Sequence, residues 1–328
     1  MRFSYNLNVF MKSRATWRMK GVSLFAGLLM AVLSTECAVR FLCGIKSFSD
    51  IRRNHYAWME ISPRYARFAL KPNFHALLRD CGRFVRFDTA PCPNSKIGYR
   101  INGNFADSGP VVGSVLGDSL TEGRHVDNTE TFTARLCALS GRRFINAGRA
   151  NPSAGPSQHI TYLKASGLLG LKPKVVLLQL HPTDLEEEIR WLARRNARYS
   201  QRYSSLSWAL FRYSLLAFHL YYVHLPKSYY PDYPSDPQLA NKQMLSAIDA
   251  FIDLGRRRGF RPLVLVDGVA KLKVAAEYAK KRGVFLDIDI GDGDLEHFRF
   301  DGHLNERGHD HVARRVWKRL LSMGWLDS

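Results

Sequence analysis

A serine, a histidine and an aspartate stand in sequence contexts that could support nucleophilic attack on an ester. Ser119 follows the apolar run "VVGSVL" and Gly117, which permits a tight turn before a helix. Asp301 and His303 fall in a turn within "FRFDGHLNERGHDH", just before a second helical pattern. A catalytic serine needs an imidazole to accept its proton and an acid to orient that imidazole, so these three residues could form a triad.

Ser119 also has an ordinary structural interpretation. With Glu122 three residues later it forms the S-x-x-E pattern of a capping box, which opens many helices that have no catalytic role. The amino terminus of a helix also presents backbone amides and a dipole that favour developing negative charge, so a cap and a nucleophile could share this position. The stretch alone does not decide between the two roles.

The residues around His303 could instead suggest a metal site. His309 and His311 follow in the helical pattern, but the two rings of a His-x-His pair on a helix point about 200° apart, which argues against shared coordination. We therefore expect no metal and no cofactor, and we expect His309 and His311 to be structural or exposed. None of the five cysteines has a catalytic or metal-binding context, although Cys81 and Cys92 bracket a loop-like segment and could pair in an oxidising compartment.

The elements that would position the triad follow from the hydropathy pattern after Pro110. Short runs that are apolar along their whole length are typical of strands buried on both faces of a parallel sheet. The runs are "VVGSVL", "RRFINA", "KVVLLQL", "RPLVLVD" and "GVFLDI". Helical patterns alternate with them, the clearest being "PQLANKQMLSAIDAFIDLGRRRG" with Gly259 at its stop. The alternation predicts a three-layer α/β/α domain with a central parallel sheet of five strands. Ligands of such sheets bind at the carboxyl ends of the strands, where Ser119 and His303 would meet.

The first 43 residues predict a membrane anchor. A basic segment at 1–20 with no acidic residue precedes the apolar run "GVSLFAGLLMAVLSTECAV". We interpret residues 1–20 as cytoplasmic and residues 21–43 as one transmembrane helix, which places the rest of the chain outside the cytoplasm, in a bacterium in the periplasm. A cleaved signal peptide is the main alternative, but Glu36 disrupts the small-residue pattern of a cleavage site. A buried helix of a soluble protein is a weaker alternative.

Two further segments complete the predicted organisation. Residues 44–108 are rich in turn residues and are predicted to form an extension that packs on the main domain at 109–328. An aromatic, apolar insert lies at about 190–237 within that domain. We interpret the insert as helical and not as a second span, because one crossing there would separate the last two strands from Ser119.

The charge balance restricts the class of partner. The formal net charge is +19, yet the basic residues are scattered and no nucleic-acid-binding motif is present, so we expect no nucleic-acid partner. The excess fits an anionic membrane or glycan surface, and it fits about equally well a solvated basic surface without a dedicated partner.

Four sequence blocks, taken in order, resemble those of the SGNH (GDSL) hydrolases, and in particular a membrane-anchored bacterial branch often associated with envelope polysaccharides. The blocks are "GDSLTEG" at 117–123, "NAG" at 146–148, "KPKVVLLQLHPTDL" at 172–185 and "DGHLNERGH" at 301–309. The resemblance covers about residues 95–320, and its first and last blocks are specific in combination.

The resemblance implies a flavodoxin-like domain and ester chemistry. Ser119 would attack an acyl carbonyl, His303 would act as general base and then as general acid, and Asp301 would orient His303. The acyl group would then pass from the enzyme to water or to a sugar hydroxyl.

The resemblance also implies an oxyanion hole made by the serine amide, a glycine amide and an asparagine side chain. The glycine position falls at Asn151, with Gly148 as the other choice, and the asparagine position falls at Thr183. Loss of one oxyanion donor can lower turnover by a factor of about 10² to 10³. Thr183 could still donate through its hydroxyl, or His181 or Asn151 could compensate.

These patterns predict a periplasm-facing serine esterase or O-acyltransferase that is held in the inner membrane by its amino-terminal helix. The predicted substrate is an acylated envelope glycan or lipid, and the sequence does not separate hydrolase from transferase, since both form the same acyl-enzyme. The alternative is a catalytically weak or inactive module of the same fold that binds glycan or assists polysaccharide assembly. Thr183 in place of asparagine motivates this alternative.

Overall fold

The computed structural model describes residues 22–38, 59–62, 67–80, 83–93, 95–103, 109–149, 155–189, 236–288, 290, 296–298 and 302–326. Residues 22–38 belong to one compact unit, and the remaining described residues belong to a second. The basic segment at 1–20 and residues 190–235 of the predicted insert lie outside the described residues.

The second unit contains one large mixed sheet with helices between its strands. The strands, in chain order, are β1 (Met59–Ser62), β2 (Arg67–Leu70), β3 (His75–Asp80), β4 (Arg83–Pro91), β5 (Gly98–Arg100), β6 (Val111–Gly117), β7 (Arg143–Gly148), β8 (Val175–Leu180), β9 (Arg261–Val266) and β10 (Phe285–Asp287). The helices, beginning with 22–38 of the first unit, are α1 (22–38), α2 (Ser119–Glu122), α3 (Phe132–Ser140), α4 (Pro156–Ala165), α5 (184–189), α6 (Pro237–Arg258), α7 (Lys273–Lys281) and α8 (Glu306–Ser322).

The five parallel strands that the hydropathy pattern predicts are present. They lie side by side in the order β7, β6, β8, β9, β10, and each neighbouring pair is parallel. Every residue of β8 is buried, as expected of a strand that is covered on both faces. The carboxyl end of β6 therefore lies between the carboxyl ends of β7 and β8, which places the residues after these three strands at one edge.

The sheet is larger than the sequence prediction. Antiparallel strands from residues 59–100 extend it to ten strands within the described part of the chain, and β5 joins the parallel part by pairing Arg100 with Asn146 of β7. The prediction of a five-stranded sheet was incomplete because these strands are short or alternate in polarity. In β4, for example, Val85 and Phe87 are buried whereas Phe84 and Arg86 are exposed, which is a weaker signal than a continuous apolar run.

Two apolar clusters cover the two faces of the sheet and give the three predicted layers. One cluster contains side chains of α4, α6 and α7 packed on the sheet, and the other contains side chains of α3 and α8. Helix α6 has the ends that the sequence indicates: Asp236 accepts from two amides at its start, Pro237 is its first residue, and Gly259 ends it with a φ of 77°. The helices therefore pack on the sheet with the connecting loops at its edges.

The amino-terminal unit is represented by α1 at 22–38, whose side chains are almost all exposed. Among the described residues, no helix is both long enough and apolar enough to cross a bilayer. The transmembrane anchor predicted at 21–43 stays a prediction.

The disulfide that the sequence left open is not formed. Cys92 has a free, buried thiol whose Sγ lies 3.6 Å from the hydroxyl oxygen of Tyr162. Its predicted partner Cys81 lies outside the described residues. Burial raises the pKa of the Cys92 thiol to about 12, so this cysteine is a core side chain.

Candidate active site

Ser119 lies directly after β6, where the chain turns into the single-turn helix α2. Asp118 caps this helix, and its side chain accepts from the amide of Leu120 at 2.9 Å. The capping-box interpretation of Ser119 is therefore wrong, because the preceding carboxylate occupies the cap position and leaves the Ser119 hydroxyl for another contact. Gly117 is needed at this turn, since a Cβ there would clash with the side chains of Thr121 and Gln179.

The hydroxyl of Ser119 meets the imidazole of His303. Ser119 Oγ lies 2.8 Å from His303 Nε2, across 184 residues of sequence. With Nε2 unprotonated, the serine hydroxyl donates to it, which is the contact that a general base needs in order to accept the proton. The structure thus brings together the serine and the histidine that the sequence predicts at one sheet edge.

His303 is carried by the turn that leads into α8. Gly302 has a φ of 74°, which explains why glycine stands between the predicted acid and base. The carbonyl of His303 accepts from the amide of Phe298 at 2.7 Å, and the amide of Gly302 donates to the carbonyl of Phe298 at 3.0 Å. These bonds hold the backbone on both sides of the imidazole. Asp301 lies outside the described residues, so its role as the acid of the triad stays a prediction.

A second imidazole, from His125, packs against His303. The two ring centroids are 4.6 Å apart and the rings meet edge to face. His125 is buried, and it follows α2 by only a few residues. Sequence reasoning missed this residue, because a lone histidine in a short polar loop carries no pattern that distinguishes it.

The two candidate glycine-type oxyanion donors differ in their surroundings. Gly148 donates its amide to Oδ1 of Asn146 at 3.1 Å, so this N–H is already engaged inside the protein. A Cβ on Gly148 would clash with the backbone of Thr121 and Glu122, so this glycine lets α2 pack directly on the end of β7. Asn151, the other choice, lies outside the described residues.

Thr183 lies in the exposed turn after β8. Its Oγ1 is 2.9 Å from Nδ1 of His181, so the hydroxyl and the imidazole are hydrogen-bonded to each other. The turn is closed by Asp184, whose carboxylate accepts from the amide of His181 at 2.8 Å and which begins helix α5. Burial raises the pKa of Asp184 well above its usual range, and the neighbouring carboxylates of Asp118 and Glu187 raise it further.

His181 lies between two carboxylates, one of which belongs to Asp118, the residue before Ser119. Its Nδ1 is 3.9 Å from Asp118 and its Nε2 is 3.8 Å from Asp267. Burial raises the pKa of Asp267, and the nearby imidazoles of His181 and His297 oppose that rise. The carboxyl-end edge of the sheet therefore holds a polar cluster next to Ser119 in addition to the serine and histidine pair.

His309 of α8 makes a hydrogen bond inside the protein. His309 is buried, and its Nδ1 accepts from the amide of Phe132 at 3.1 Å. Burial lowers the pKa of His309 to about 3, and the positive charge of Arg100 lowers it as well. In the ranges that the structure describes, no group of three or more His, Cys, Asp or Glu side chains could hold a metal ion.

Comparisons with known proteins find similarity only among solved structures. No protein-family model and no curated protein matches the chain. A protein assigned to the G-D-S-L lipolytic family from Desulfitobacterium hafniense is 15% identical with a TM-score of 0.41, and the match covers 63% of this chain and 98% of that one. An acetylxylan esterase from Geobacillus stearothermophilus is 12% identical with a TM-score of 0.39, over 66% and 95% of the two chains. A lipase from a goat rumen metagenome is 12% identical with a TM-score of 0.37, over 62% and 94%. The function is therefore inferred from the geometry of the site itself.

Proposed function

We propose that this protein is a serine-dependent ester hydrolase or O-acyltransferase. The observation that carries the proposal is the 2.8 Å contact between Ser119 Oγ and His303 Nε2 at the carboxyl end of β6. A serine at a strand-to-helix turn with an imidazole in hydrogen-bond reach is the arrangement that activates a hydroxyl for attack on an acyl carbon.

The proposed reaction proceeds through an acyl-enzyme. Ser119 Oγ attacks the carbonyl carbon of the ester while its proton passes to His303 Nε2, and negative charge develops on the carbonyl oxygen. When the bond to the leaving alcohol breaks, His303 gives the proton to the departing oxygen and the acyl group stays on Ser119. Water, or a sugar hydroxyl in a transferase, then attacks the acyl carbon while His303 takes its proton. As the bond between the acyl carbon and Ser119 Oγ breaks, His303 returns the proton to Oγ, which releases the acid or the new ester and restores the serine.

The oxyanion requires donors close to Ser119. The amide of Ser119 stands at the first position of α2, where a backbone N–H has no partner inside the helix, and it is the first proposed donor. Asn151 is proposed as the second through its backbone amide, since the amide of Gly148 is engaged by Asn146. Thr183 is proposed as the third donor. His181 Nδ1 accepts from the Thr183 amide at 3.4 Å and lies 2.9 Å from Thr183 Oγ1, so the threonine hydroxyl would turn from this nitrogen to the oxyanion when substrate binds. Asp301 is proposed to orient His303.

The proposed substrate is an acylated glycan or lipid of the bacterial envelope, and the proposed location is the periplasmic side of the inner membrane, with residues 21–43 as the anchor. The apolar run at 21–39 after a one-sided basic segment and the net charge of +19 support this part of the proposal.

A second candidate function is a binding module that has lost most of its turnover. The observation that favours it is the hydrogen bond between Thr183 and His181, because a threonine hydroxyl that donates to His181 Nδ1 is not available to an oxyanion. Such a module would bind acylated polysaccharide without cleaving its esters.

A fluorophosphonate probe separates the two functions. The full chain is expected to be labelled on Ser119, and Ser119→Ala is expected to abolish labelling. Ser140→Ala is the matched control, since Ser140 is a partly buried serine on α3 whose hydroxyl donates to the carbonyl of Leu136 at 2.7 Å, and labelling should be unchanged. Folded protein that is not labelled, yet binds acylated polysaccharide equally well with and without Ser119→Ala, would support the binding module and contradict the enzyme.

A further inference from the structure

The loop that follows α2, residues 122–128, is held from inside the protein by one buried guanidinium group. Arg100, the last residue of β5, uses all five of its N–H donors, four of them on this loop. The acceptors are the carbonyl oxygens of Glu122 at 2.7 Å, Gly123, Val126 at 2.6 Å and Arg86 at 3.2 Å, and Oδ1 of Asn128 at 3.1 Å. Four of these five hydrogen bonds end on the loop, so the loop is tied to the antiparallel strands that precede Pro110.

Such an arrangement requires a guanidinium. Arg100 has no exposed surface, and its Cζ lies 4.4 Å from the ring centroid of Phe87, so the group is both stacked and fully hydrogen-bonded. Burial lowers the pKa of Arg100 to about 10, which leaves it charged at neutral pH. A buried charge without full compensation would cost several kcal/mol. A lysine could supply three donors from one nitrogen, but it could not reproduce the planar fork that reaches five acceptors.

The loop carbonyl groups that Arg100 binds lie at the end of the helix that Ser119 begins, and next to a residue whose ring packs on His303. Glu122 is the last residue of α2, whose first residue is Ser119, and Gly123 ends that helix with a φ of 72°. A helix of a single turn has little stability of its own, so the bonds at its far end restrain the position of Ser119. Val126 follows His125, whose ring packs at 4.6 Å on the ring of His303.

We propose that Arg100 is a positioning residue of the active site. By binding the carbonyl groups at the end of α2 and beside His125, it keeps Ser119 and His303 in the arrangement that gives their 2.8 Å contact. The inference rests on the proposed function and extends it, because it adds Arg100 at the end of β5 to the residues that align the active site. A displacement of about 1 Å from a change far from the chemistry can lower the rate about 10²-fold.

The test compares substitutions of Arg100 with a core substitution in the same group of strands. Arg100→Met fills similar volume without donors, and Arg100→Lys keeps the charge without the fork. Leu78→Ala is the control, since Leu78 is a buried side chain of β3 in the same small cluster as Phe87 and lies outside the loop at 122–128. For each full-length variant, kcat and KM for p-nitrophenyl acetate are measured together with the thermal unfolding temperature.

Arg100→Met is expected to lower kcat about 10²-fold with little change in KM, as for an interaction that matters only for the alignment of reacting groups. Arg100→Lys is expected to show an intermediate loss in kcat, again with little change in KM. Leu78→Ala is expected to lower the unfolding temperature while kcat stays at the wild-type value. If Arg100→Met does not fold, the Arg100→Lys kcat decides the outcome in the same way.

Two failures remain distinguishable. Wild-type protein that shows neither turnover nor probe labelling contradicts the proposed function. If the wild type is active and Arg100→Lys keeps the wild-type kcat, the positioning role is contradicted and the proposed function stands. The same holds if Arg100→Met keeps the wild-type kcat while it is destabilised as much as Leu78→Ala.

Discussion

The buried imidazole of His309 makes a quantitative prediction about acid stability. In the folded protein this ring is uncharged at neutral pH and accepts from the amide of Phe132 at the start of α3. Burial lowers its pKa from the ordinary value of 6.5 to about 3. Because the unfolded chain takes up a proton at a higher pH than the folded chain, stability is fully present above about pH 6.5 and is lost as the pH falls toward 3.

The size of the effect follows from the interval between the assay pH and the ordinary pKa. At about pH 5 the unfolded imidazole is largely protonated and the folded imidazole is not, so 1.5 pH units at 1.36 kcal/mol each remove about 2 kcal/mol of stability. The substitution His309→Asn removes the titration but keeps an acceptor oxygen for the Phe132 amide.

The assay is urea unfolding of the wild type and of His309→Asn at about pH 7.5 and about pH 5, followed by tryptophan fluorescence. Trp317 and Trp325, which pack against the apolar cluster that includes α8, contribute to this signal. On acidification the wild type is expected to lose about 2 kcal/mol more unfolding free energy than His309→Asn. Comparison of the two pH values within each protein cancels the constant cost of the substitution. An equal loss in both proteins would refute the assignment of the acid sensitivity to His309.

Three further predictions concern single residues. Asp184→Asn should become stabilising relative to the wild type as the pH rises above the ordinary aspartate pKa of 3.8, because the raised pKa of Asp184 makes its ionised form unfavourable in the fold. Thermal unfolding of both proteins at about pH 5 and about pH 8 checks this. A difference between their unfolding temperatures that shrinks with rising pH would count against it. Gly148→Ala should destabilise the protein by about 1 to 3 kcal/mol and lower kcat, because the added Cβ would press on the backbone of α2. Gly170→Ala is the control, since a Cβ on Gly170 would point into open space. Equal effects of the two substitutions would contradict the packing argument. Cys92 should resist iodoacetamide in native protein, because burial raises its pKa to about 12. The same thiol should react after unfolding in urea; peptide mapping compares the two conditions, and early modification of Cys92 in native protein would contradict its burial.

The parts of the fold that could be predicted from the sequence are those with a strong local pattern. The five parallel strands were found because each is apolar along its length, and helix α6 was found because its cap, its apolar face and its terminal glycine agree. The meeting of Ser119 with His303 followed from the rule that carboxyl ends of parallel strands share one edge.

The parts that could not be predicted depend on contacts between residues far apart in the chain. Arg100 binds residues 22 to 26 positions later through backbone carbonyls, which have no sequence signature. His125 matters because its ring meets His303, 178 positions away in the numbering. The sequence left open whether Ser119 caps α2, since Asp118 and Ser119 are both good capping residues and only the backbone geometry distinguishes them.

The most direct test of the central claim is to trap the acyl-enzyme. Full-length protein is mixed with an excess of p-nitrophenyl acetate, quenched with acid within the first turnovers and digested for mass spectrometry. The proposed chemistry predicts one acetyl group on the peptide that contains Ser119, and predicts that acetylation is lost in Ser119→Ala and strongly slowed in His303→Ala. Acetyl transfer to another residue, or turnover that persists in Ser119→Ala, would contradict the assignment of Ser119 as the nucleophile.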